Sequence, residues 1–169
     1  GNFNELEEKG IKVPTTKKDQ VGLMEAIKDY RVWLLFVVYA ACFGIELTVY
    51  GTMDDYLQNT FQLDRITAGN IVLSFALMNI FARTLGGYFG DKFGKLRGLK
   101  GRVWFLAAIL IVEGLMLSMF SLATGLFVGF ALLIAFSLAV QMAEGATFSV
   151  VPFVNRKAIG SISGIVGAG

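Results

Sequence analysis

The sequence predicts an all-α, polytopic membrane protein, and three observations carry that prediction. Hydrophobic residues make up 55% of the 169 residues and charged residues only 17%, too few to cover the surface of a soluble domain of this length. The apolar residues form four runs, each long enough for a tilted transmembrane helix. The charges gather in the connections between these runs. Buried helices of a soluble protein rarely run this long without a polar face, so we place the chain in a membrane.

The first 30 residues are polar and mixed in sign, with acidic residues such as Glu7 followed by lysines such as Lys9 and Lys12. This composition is typical of a solvated loop. Leu23, Ile27 and Tyr30 are spaced as on one face of a helix, which predicts a short surface helix leading into the membrane. We therefore expect residues 1–30 to be a cytoplasmic loop and residues 31–169 to form a bundle of transmembrane helices.

The predicted helices are 32–53, 66–90, 103–122, 126–152 and 158–169. The first four each contain a single charged residue, which is in turn Glu46, Arg83, Glu113 and Glu144. The fifth run is only twelve residues long, whereas about 20 residues are needed to cross a hydrocarbon core of about 30 Å. We expect this last helix to be incomplete and the chain to be a piece of a longer protein.

The basic residues indicate the orientation. Of the 15 Lys and Arg residues, 13 lie in segments that the alternating helices would place on the same side of the membrane. The two exceptions are Arg65, on the opposite side, and Arg83, within an apolar run. Positively charged connections stay in the cytoplasm. The loop of residues 1–30 and the turn around Lys92 are therefore predicted to be cytoplasmic, and the helices to alternate in direction.

Composition also excludes several kinds of function. The chain has no histidine and one cysteine, Cys42, so it lacks the residues for Ser/His or Cys/His catalysis, for a His-ligated metal site or for a disulfide framework. We expect no enzyme activity, no cofactor and no metal. A membrane-embedded enzyme or an assembly subunit would need a paired acid and base or a metal constellation, which this composition disfavours. The net charge of +2 is too small for a nucleic-acid partner.

Arg83 is the strongest candidate for binding a substrate. An arginine near the middle of a membrane costs about 2.5–3.5 kcal/mol on insertion scales, so it normally faces a cavity or a partner. Its planar, permanently charged guanidinium suits planar oxyanions. Asn79 lies one turn earlier on the same face and is a candidate for an added hydrogen bond. The alternative is a structural salt bridge from Arg83 to one of the three buried glutamates.

Two of those glutamates are candidates for carrying a coupling proton. Glu46 and Glu144 are each embedded in an apolar run, where desolvation favours the neutral acid and an approaching arginine favours the anion. Either could instead be a fixed partner in a helix–helix network, and the sequence leaves both roles open. Glu113 lies in no recognisable motif, and we expect a structural role for it.

The stretch 87–95 has a specific pattern of glycine, acid and base. Gly87, Asp91, Gly94 and Lys95 resemble the G-x-x-x-D-x-x-G-[RK] signature that follows helices two and eight in the major facilitator superfamily. The resemblance implies that Asp91 acts as a gate latch, which caps a neighbouring helix or pairs with a base in one conformational state. The alternative is an ordinary basic cytoplasmic turn.

Three further stretches resemble the nitrate/nitrite porter family of that superfamily, in its eukaryotic form. They are FGIELT at 43–48, NIFAR at 79–83, and QMAEGATF at 141–148. The tail GIVGAG at 164–169 is similar to the opening of that family's glycine-rich nitrate signature. The family has twelve helices in two halves around a central site. This chain would then supply the central loop, helices seven to ten and the start of helix eleven, within the C-terminal half.

The resemblance also implies a set of site residues. Arg83 matches the helix-eight arginine that clasps nitrate together with an arginine of helix two, which would lie outside this chain. Tyr39 is placed like the helix-seven aromatic that stacks on the flat anion, and Gly164 and Gly167 belong to the nitrate signature. Thr84 stands where plant members tend to have proline, which indicates an algal-type, high-affinity member.

The expected function is that of a secondary active transporter that imports nitrate, with nitrite as a related substrate, by proton symport and alternating access. Its partners would be the anion, protons and the lipid bilayer, and its location the plasma membrane as a multi-pass protein. An accessory membrane protein is left open. The alternative is a major facilitator carrier for another small anion, such as a carboxylate.

Overall fold

The computed structural model describes residues 16–169, and side chains from Gly22 onward apart from that of Lys157. Five helices follow one another, α1 (Thr16–Lys28), α2 (Tyr30–Phe61), α3 (Arg65–Ser121), α4 (Leu126–Val150) and α5 (Ile159–Gly167), with 3₁₀ turns at Val151–Phe153 and Arg156–Ala158. No strand occurs among these residues, and the predicted all-α class is confirmed. Residues 1–15 of the predicted cytoplasmic loop lie outside the described part.

Three of these helices are long and apolar enough to cross a membrane: Tyr30–Phe61, Arg65–Ser121 and Leu126–Phe153. The 57 residues of α3 would span about 85 Å at 1.5 Å per residue, far more than one crossing needs. The helix is in fact broken at Gly98, where φ is 60° and ψ is −144°. Glycine adopts a positive φ readily, whereas residues that have a Cβ adopt it only at an energetic cost.

The break turns α3 into a hairpin of two arms, residues 65–96 and residues 99–121. The rings of Phe93 and Phe105 stack across the two arms with their centroids 5.4 Å apart. Gly101 lies so close to the first arm that an added Cβ would fall 3.2 Å from the Cβ of Arg97 and closer still to the Phe93 carbonyl group. The arms therefore lie side by side, and together they are long enough for two membrane crossings.

Local chemistry explains where the long helices begin and end. Asp29 and Asp64 are the N-caps of α2 and α3, and their side chains accept hydrogen bonds of 3.0 Å from the backbone N–H groups of Arg31 and Thr67. These bonds favour the ionised carboxylates: the Arg31 side chain chiefly lowers the pKa of Asp29, and Thr67 that of Asp64. The other end of α2 closes at Gln62, in the left-handed conformation with φ of 54°.

The helices extend beyond the apolar runs from which they were predicted. The sequence prediction ended the first run at residue 53, whereas α2 continues to Phe61 through polar residues. The first arm of α3 likewise continues past residue 90 into the basic turn. Apolarity marks the part of a helix that lipid covers, and a helix can continue into the aqueous phase wherever its backbone hydrogen bonds persist.

Helix α1 occupies the surface-helix region expected from residues 23–30, but a different face packs. Gly22 and Ala26 are buried, and a Cβ added at Gly22 would lie 3.5 Å from that of Ala158, next to the start of α5. Leu23 and Ile27, two of the three residues that suggested the helix, remain more than 40% exposed, and the third, Tyr30, begins α2 instead. The spacing thus indicated the helix, while small residues on its opposite side provide its contact.

The closest helix contact in the described chain joins the first arm of α3 to α4. A Cβ added at Gly86 would fall 2.7 Å from the Cα of Met142, and one added at Gly145 would fall 2.9 Å from the carbonyl carbon of Arg83. Real side chains cannot approach backbone this closely, so glycine is required at both positions. Small residues at such a seam let two backbones meet within a membrane. This seam positions the charged residues described next.

Candidate functional site

Arg83 and Glu144 face each other across the α3–α4 seam. Because Gly145 has no side chain, its backbone lies against the Arg83 peptide, which brings the preceding residue, Glu144, level with the guanidinium. The Arg83 Nη2 group donates to Glu144 Oε2. The structure therefore pairs the membrane-embedded arginine with one of the three glutamates considered in the sequence analysis.

Glu46 joins the same layer from α2. Its Oε2 atom lies 3.7 Å from Arg83 Nη2, and its Oε1 atom accepts hydrogen bonds of 3.3 Å from Asn79 Nδ2 and 3.2 Å from Gln141 Nε2. Three helices thus each contribute to one polar cluster. Of the predicted site residues, the structure brings together Arg83, Asn79, Glu46 and Glu144.

Three uncharged side chains, those of Gln141, Tyr50 and Ser137, form a hydrogen-bonded network next to this cluster. The Gln141 amide nitrogen lies 2.7 Å from the Tyr50 hydroxyl and 3.3 Å from Ser137 Oγ. The Tyr50 hydroxyl in turn donates to the Phe75 carbonyl at 3.4 Å. Gln141 is fully buried. These hydrogen bonds hold its amide against Glu46 and restrict where the Glu46 carboxylate can lie.

The charges in the cluster do not balance among the described residues, because two carboxylates share one guanidinium. Glu46 is 2% exposed and Glu144 is fully buried, whereas 35% of the Arg83 side chain remains exposed. Glu46 Oε2, Glu144 Oε1 and Arg83 Nε are buried without a hydrogen-bond partner in this part of the chain. Buried charges are costly unless paired. The cluster can accept a proton at a carboxylate and can present the free part of Arg83 to an anion.

Tyr39 lies in a separate aromatic group beside this cluster. Its ring packs edge-on against Phe148 at 5.2 Å between centroids and stacks with Phe43 at 6.0 Å. Phe148 follows Glu144 by one turn of α4, so the group lies between the Arg83 layer and the end of the bundle that is predicted to be cytoplasmic. A Cβ added at Gly167 would lie 3.6 Å from the Phe148 ring, whereas one at Gly164 would meet nothing within 4 Å. The described contacts therefore join Tyr39 to Gly167 through Phe148, and not to Arg83.

The predicted gating stretch contains a second ionic contact, at the end of the bundle that is predicted to face the cytoplasm. Arg102, on the second arm of α3, donates to Asp91 on the first arm and, at 3.2 Å, to the Ser149 carbonyl of α4. Its guanidinium carbon also lies 4.5 Å above the centre of the Phe153 ring. We call Asp91, Arg102 and Phe153 the cytoplasmic clasp.

The other members of the predicted gating stretch surround the clasp. A Cβ added at Gly94 would fall 2.5 Å from Arg102 Nε, so glycine makes room for that guanidinium. Gly87 lies beside the Gly145 carbonyl, where an added Cβ would be in ordinary contact at 3.8 Å. Lys95 lines a cleft of about 360 Å³ with Tyr88, Asp91, Lys92 and Arg102, and the described residues offer it no ion pair.

Sequence reasoning missed several residues that the structure places in these sites. They are Tyr50, Arg102, Ser137, Gln141, Phe148 and Phe153. A signal for one of them was present. Gln141 precedes Glu144 by three residues in an otherwise apolar run, so both lie on the same face of α4. Arg102 was counted only as part of the basic turn, because its partner depends on how tightly the α3 hairpin closes.

Comparison with known proteins agrees with the resemblance found in the sequence. The chain is 39% identical over 155 residues to the high affinity nitrate transporter 2.5 of Arabidopsis thaliana, which includes 90% of this chain. It is 37% identical over 164 residues to the nitrate transporter 2.2 of Chlamydomonas reinhardtii, which covers 94% of this chain. It is also 37% identical over 141 residues to the nitrate/nitrite transporter NrtP of a Picosynechococcus strain, which covers 82% of this chain. The chain belongs to the nitrate/nitrite porter family of the major facilitator superfamily.

This member of the nitrate/nitrite porter family spans about a third of the length of the curated relatives that it matches, with 31% of the Arabidopsis protein, 32% of the Chlamydomonas protein and 25% of the NrtP protein covered. No family model matches the chain, and no solved structure matches it either. The relatives are named as transporters, which fits a non-enzymatic protein, and the three long apolar helices fit an integral membrane protein.

Proposed function

We propose that this nitrate/nitrite porter family member imports nitrate, with nitrite as a related substrate, by proton symport with alternating access at the plasma membrane. The names of its relatives support nitrate as the substrate. The observation that carries the mechanism is the buried layer in which Arg83 is shared by Glu144 and Glu46 while part of its side chain stays exposed.

The free part of Arg83 suits the anion. Nitrate is flat, weakly hydrated and has three acceptor oxygens, so a guanidinium can donate to two of them at once. Arg83 Nη2 is engaged by the glutamates and Arg83 Nε is buried, but 35% of the side chain stays exposed. In our proposal nitrate binds this exposed part of the guanidinium, and Asn79, one turn away, orients the Glu46 carboxylate next to it.

The two glutamates supply the coupling to protons. An anion that approaches Arg83 is repelled by the carboxylates of Glu46 and Glu144, and it competes with them for the guanidinium. Protonation of either carboxylate removes one negative charge and weakens its hold on Arg83. Nitrate and the proton therefore strengthen each other's binding, and thermodynamic linkage makes this effect reciprocal.

The membrane potential makes such coupling necessary for uphill import. Moving a monovalent anion into a cell against an inside-negative potential costs about 2.3 kcal/mol per 100 mV. One proton carried with each nitrate cancels this electrical cost, and two make the step electrically favourable.

The cytoplasmic clasp supports alternating access. It ties both arms of α3 to the end of α4, so a path from the Arg83 layer to the cytoplasm requires that Asp91 and Arg102 separate. The aromatic group of Tyr39 and Phe148 lies between the clasp and the Arg83 layer, where we propose that Tyr39 closes the cytoplasmic side of the substrate. We propose that Gly164 and Gly167 of α5 also take part in nitrate recognition, and the position of Gly167 beside the Phe148 ring supports this.

A carrier for a small carboxylate is the second candidate, and one observation favours it. The group that Arg83 already binds, Glu144, is itself a carboxylate, so the guanidinium does not by its chemistry reject such ligands. Nitrate and carboxylate differ chiefly in basicity and hydration, which the rest of the binding site must distinguish.

Transport by the purified full-length protein in liposomes separates these proposals. We expect labelled nitrate to accumulate when the outside is acidified, and excess nitrite to compete more strongly than excess formate or acetate. Acid-driven uptake of a carboxylate with no competition by nitrate would support the second candidate. Nitrate uptake that ignores the pH gradient would refute proton symport while leaving nitrate as the substrate.

A further inference from the structure

A third buried carboxyl group lies outside the Arg83 cluster, on the second arm of α3. Glu113 is 5% exposed, and its Oε2 atom accepts a hydrogen bond of 3.5 Å from the Cys42 thiol of α2. No Lys or Arg among the described residues forms an ion pair with Glu113. Glu113 thus differs from Glu46 and Glu144, which both face a guanidinium.

These surroundings favour a carboxyl group that holds a proton. A thiol is a weak hydrogen-bond donor and does not compensate a full negative charge. An ionised acid in the centre of a membrane is costly without a cation beside it.

Glu113 is also placed to communicate with the Arg83 cluster. Cys42 and Glu46 lie one turn apart on the same face of α2. The thiol contacts Glu113, and Glu46 follows it on that face. Cys42 and Glu46 are thus the titratable α2 groups that share the face turned toward Glu113. In our proposal a proton at Glu113 and the charge of Glu46 influence each other through this face.

We propose that Glu113 is a second proton-binding group of the transport cycle. This inference rests on the proposed proton symport and deepens it. One proton binds at the Glu46–Glu144–Arg83 cluster and a second at the Glu113 carboxylate, and each is released unchanged on the other side of the membrane. Two protons then accompany one nitrate and the loaded carrier gains one net positive charge, which makes inward movement electrically favourable.

The charge moved per nitrate tests the proposal directly. In the full-length protein reconstituted in liposomes, with the membrane potential held at zero, the nitrate concentration ratio at which net nitrate flux vanishes is measured at several pH gradients. The slope of its logarithm against the pH difference gives the number of protons per nitrate. Glu113→Gln imitates the protonated acid permanently. We expect it to transport nitrate with one proton fewer than the wild type. Asp55→Asn, at the exposed far end of α2, is the matched control and should keep the wild-type ratio.

Cys42 variants provide a second measurement should Glu113→Gln fail to fold. Cys42→Ala removes the donor that favours the ionised carboxylate, so the pH midpoint of uptake should rise, whereas Cys42→Ser keeps a donor and should remain close to the wild type. An unchanged proton-to-nitrate ratio in Glu113→Gln, or identical midpoints in both Cys42 variants, would overturn the role of Glu113 and leave the proposed function standing. Nitrate transport by the wild type without proton movement would instead refute proton symport itself, and this inference with it.

Discussion

Arg83 donates a hydrogen bond to Glu144 across a seam at which Gly145 lies directly against the Arg83 peptide. A side chain at position 145 would separate the two helices and with them the ion pair. The geometry of the polar cluster thus depends on a residue that carries no charge.

The first prediction tests that dependence. A methyl group at Gly145 would overlap the Arg83 backbone, and overpacking of this kind costs about 1–3 kcal/mol. Gly145→Ala should lower the thermal stability of the purified full-length protein and weaken its nitrate uptake. Gly114→Ala is the matched control, because an added Cβ there meets nothing within 4 Å. Equal stability of the two variants would contradict the close seam.

The second prediction concerns membrane topology. The basic turn places Lys95 in the cytoplasm, whereas Gln58, beyond the apolar part of α2, lies on the opposite side. Single cysteines at these positions should react with a membrane-impermeant reagent from opposite sides of sealed vesicles. Cys42 is buried and should contribute little background. Labelling of both cysteines from the same side would refute the arrangement of α2 and α3.

The third prediction concerns the cytoplasmic clasp. The Asp91 side chain is 61% exposed, so its pair with Arg102 is worth about 1 kcal/mol at most, which corresponds to about a fivefold shift between conformations. Asp91→Asn should change the rate of nitrate uptake by about this factor. The exchange Asp91→Arg with Arg102→Asp should restore part of the rate.

Lys92→Gln is the control for the clasp, since this exposed lysine makes no ion pair in the described structure. It should leave the rate near that of the wild type. If Lys92→Gln slows uptake as much as Asp91→Asn does, the general charge of the turn matters rather than the clasp.

The fold was largely predictable from the sequence, for a physical reason. Lipid requires long apolar helices, so the runs around Glu46, Arg83, Glu113 and Glu144 indicated helices without any knowledge of packing. A connection between the predicted helices 66–90 and 103–122 was likewise expected, and the structure reduces it to the break at Gly98. Helix ends were less predictable, because α2 continues to Phe61 through polar residues whose helical hydrogen bonds extend into the aqueous phase.

The pairings within the site were not predictable to the same degree. The sequence offered three glutamates as partners for Arg83, and which of them faces it depends on how each helix is rotated about its axis. The structure places Glu144 and Glu46 there and sets Glu113 against Cys42 instead. The salt-bridge alternative is therefore present as a contact, while the substrate role of Arg83 stays a prediction.

The fourth prediction separates the two glutamates of the cluster. Glu144 contacts Arg83 directly, whereas Glu46 is held at 3.7 Å by Asn79 and Gln141. If either carries the coupling proton of the cluster, its Gln variant should still bind nitrate but move one proton fewer per nitrate, so the accumulation driven by a given pH gradient should fall. Asp55→Asn again serves as the control. Normal acid-stimulated uptake in both Gln variants would assign the proton elsewhere.

The most direct test of the account is the nitrate affinity of Arg83→Lys in the full-length protein. Lysine keeps the positive charge, and so the pairing with the carboxylates, but it loses the fork that can donate to two nitrate oxygens. Loss of a charge-assisted contact of this kind costs about 1.5–3 kcal/mol, or about ten- to a hundredfold in affinity. Arg65→Lys, at the exposed start of α3, is the matched control and should bind nitrate normally. We predict weakened nitrate binding by Arg83→Lys with normal membrane insertion, and wild-type affinity in that variant would show that Arg83 serves only as a structural partner of Glu144.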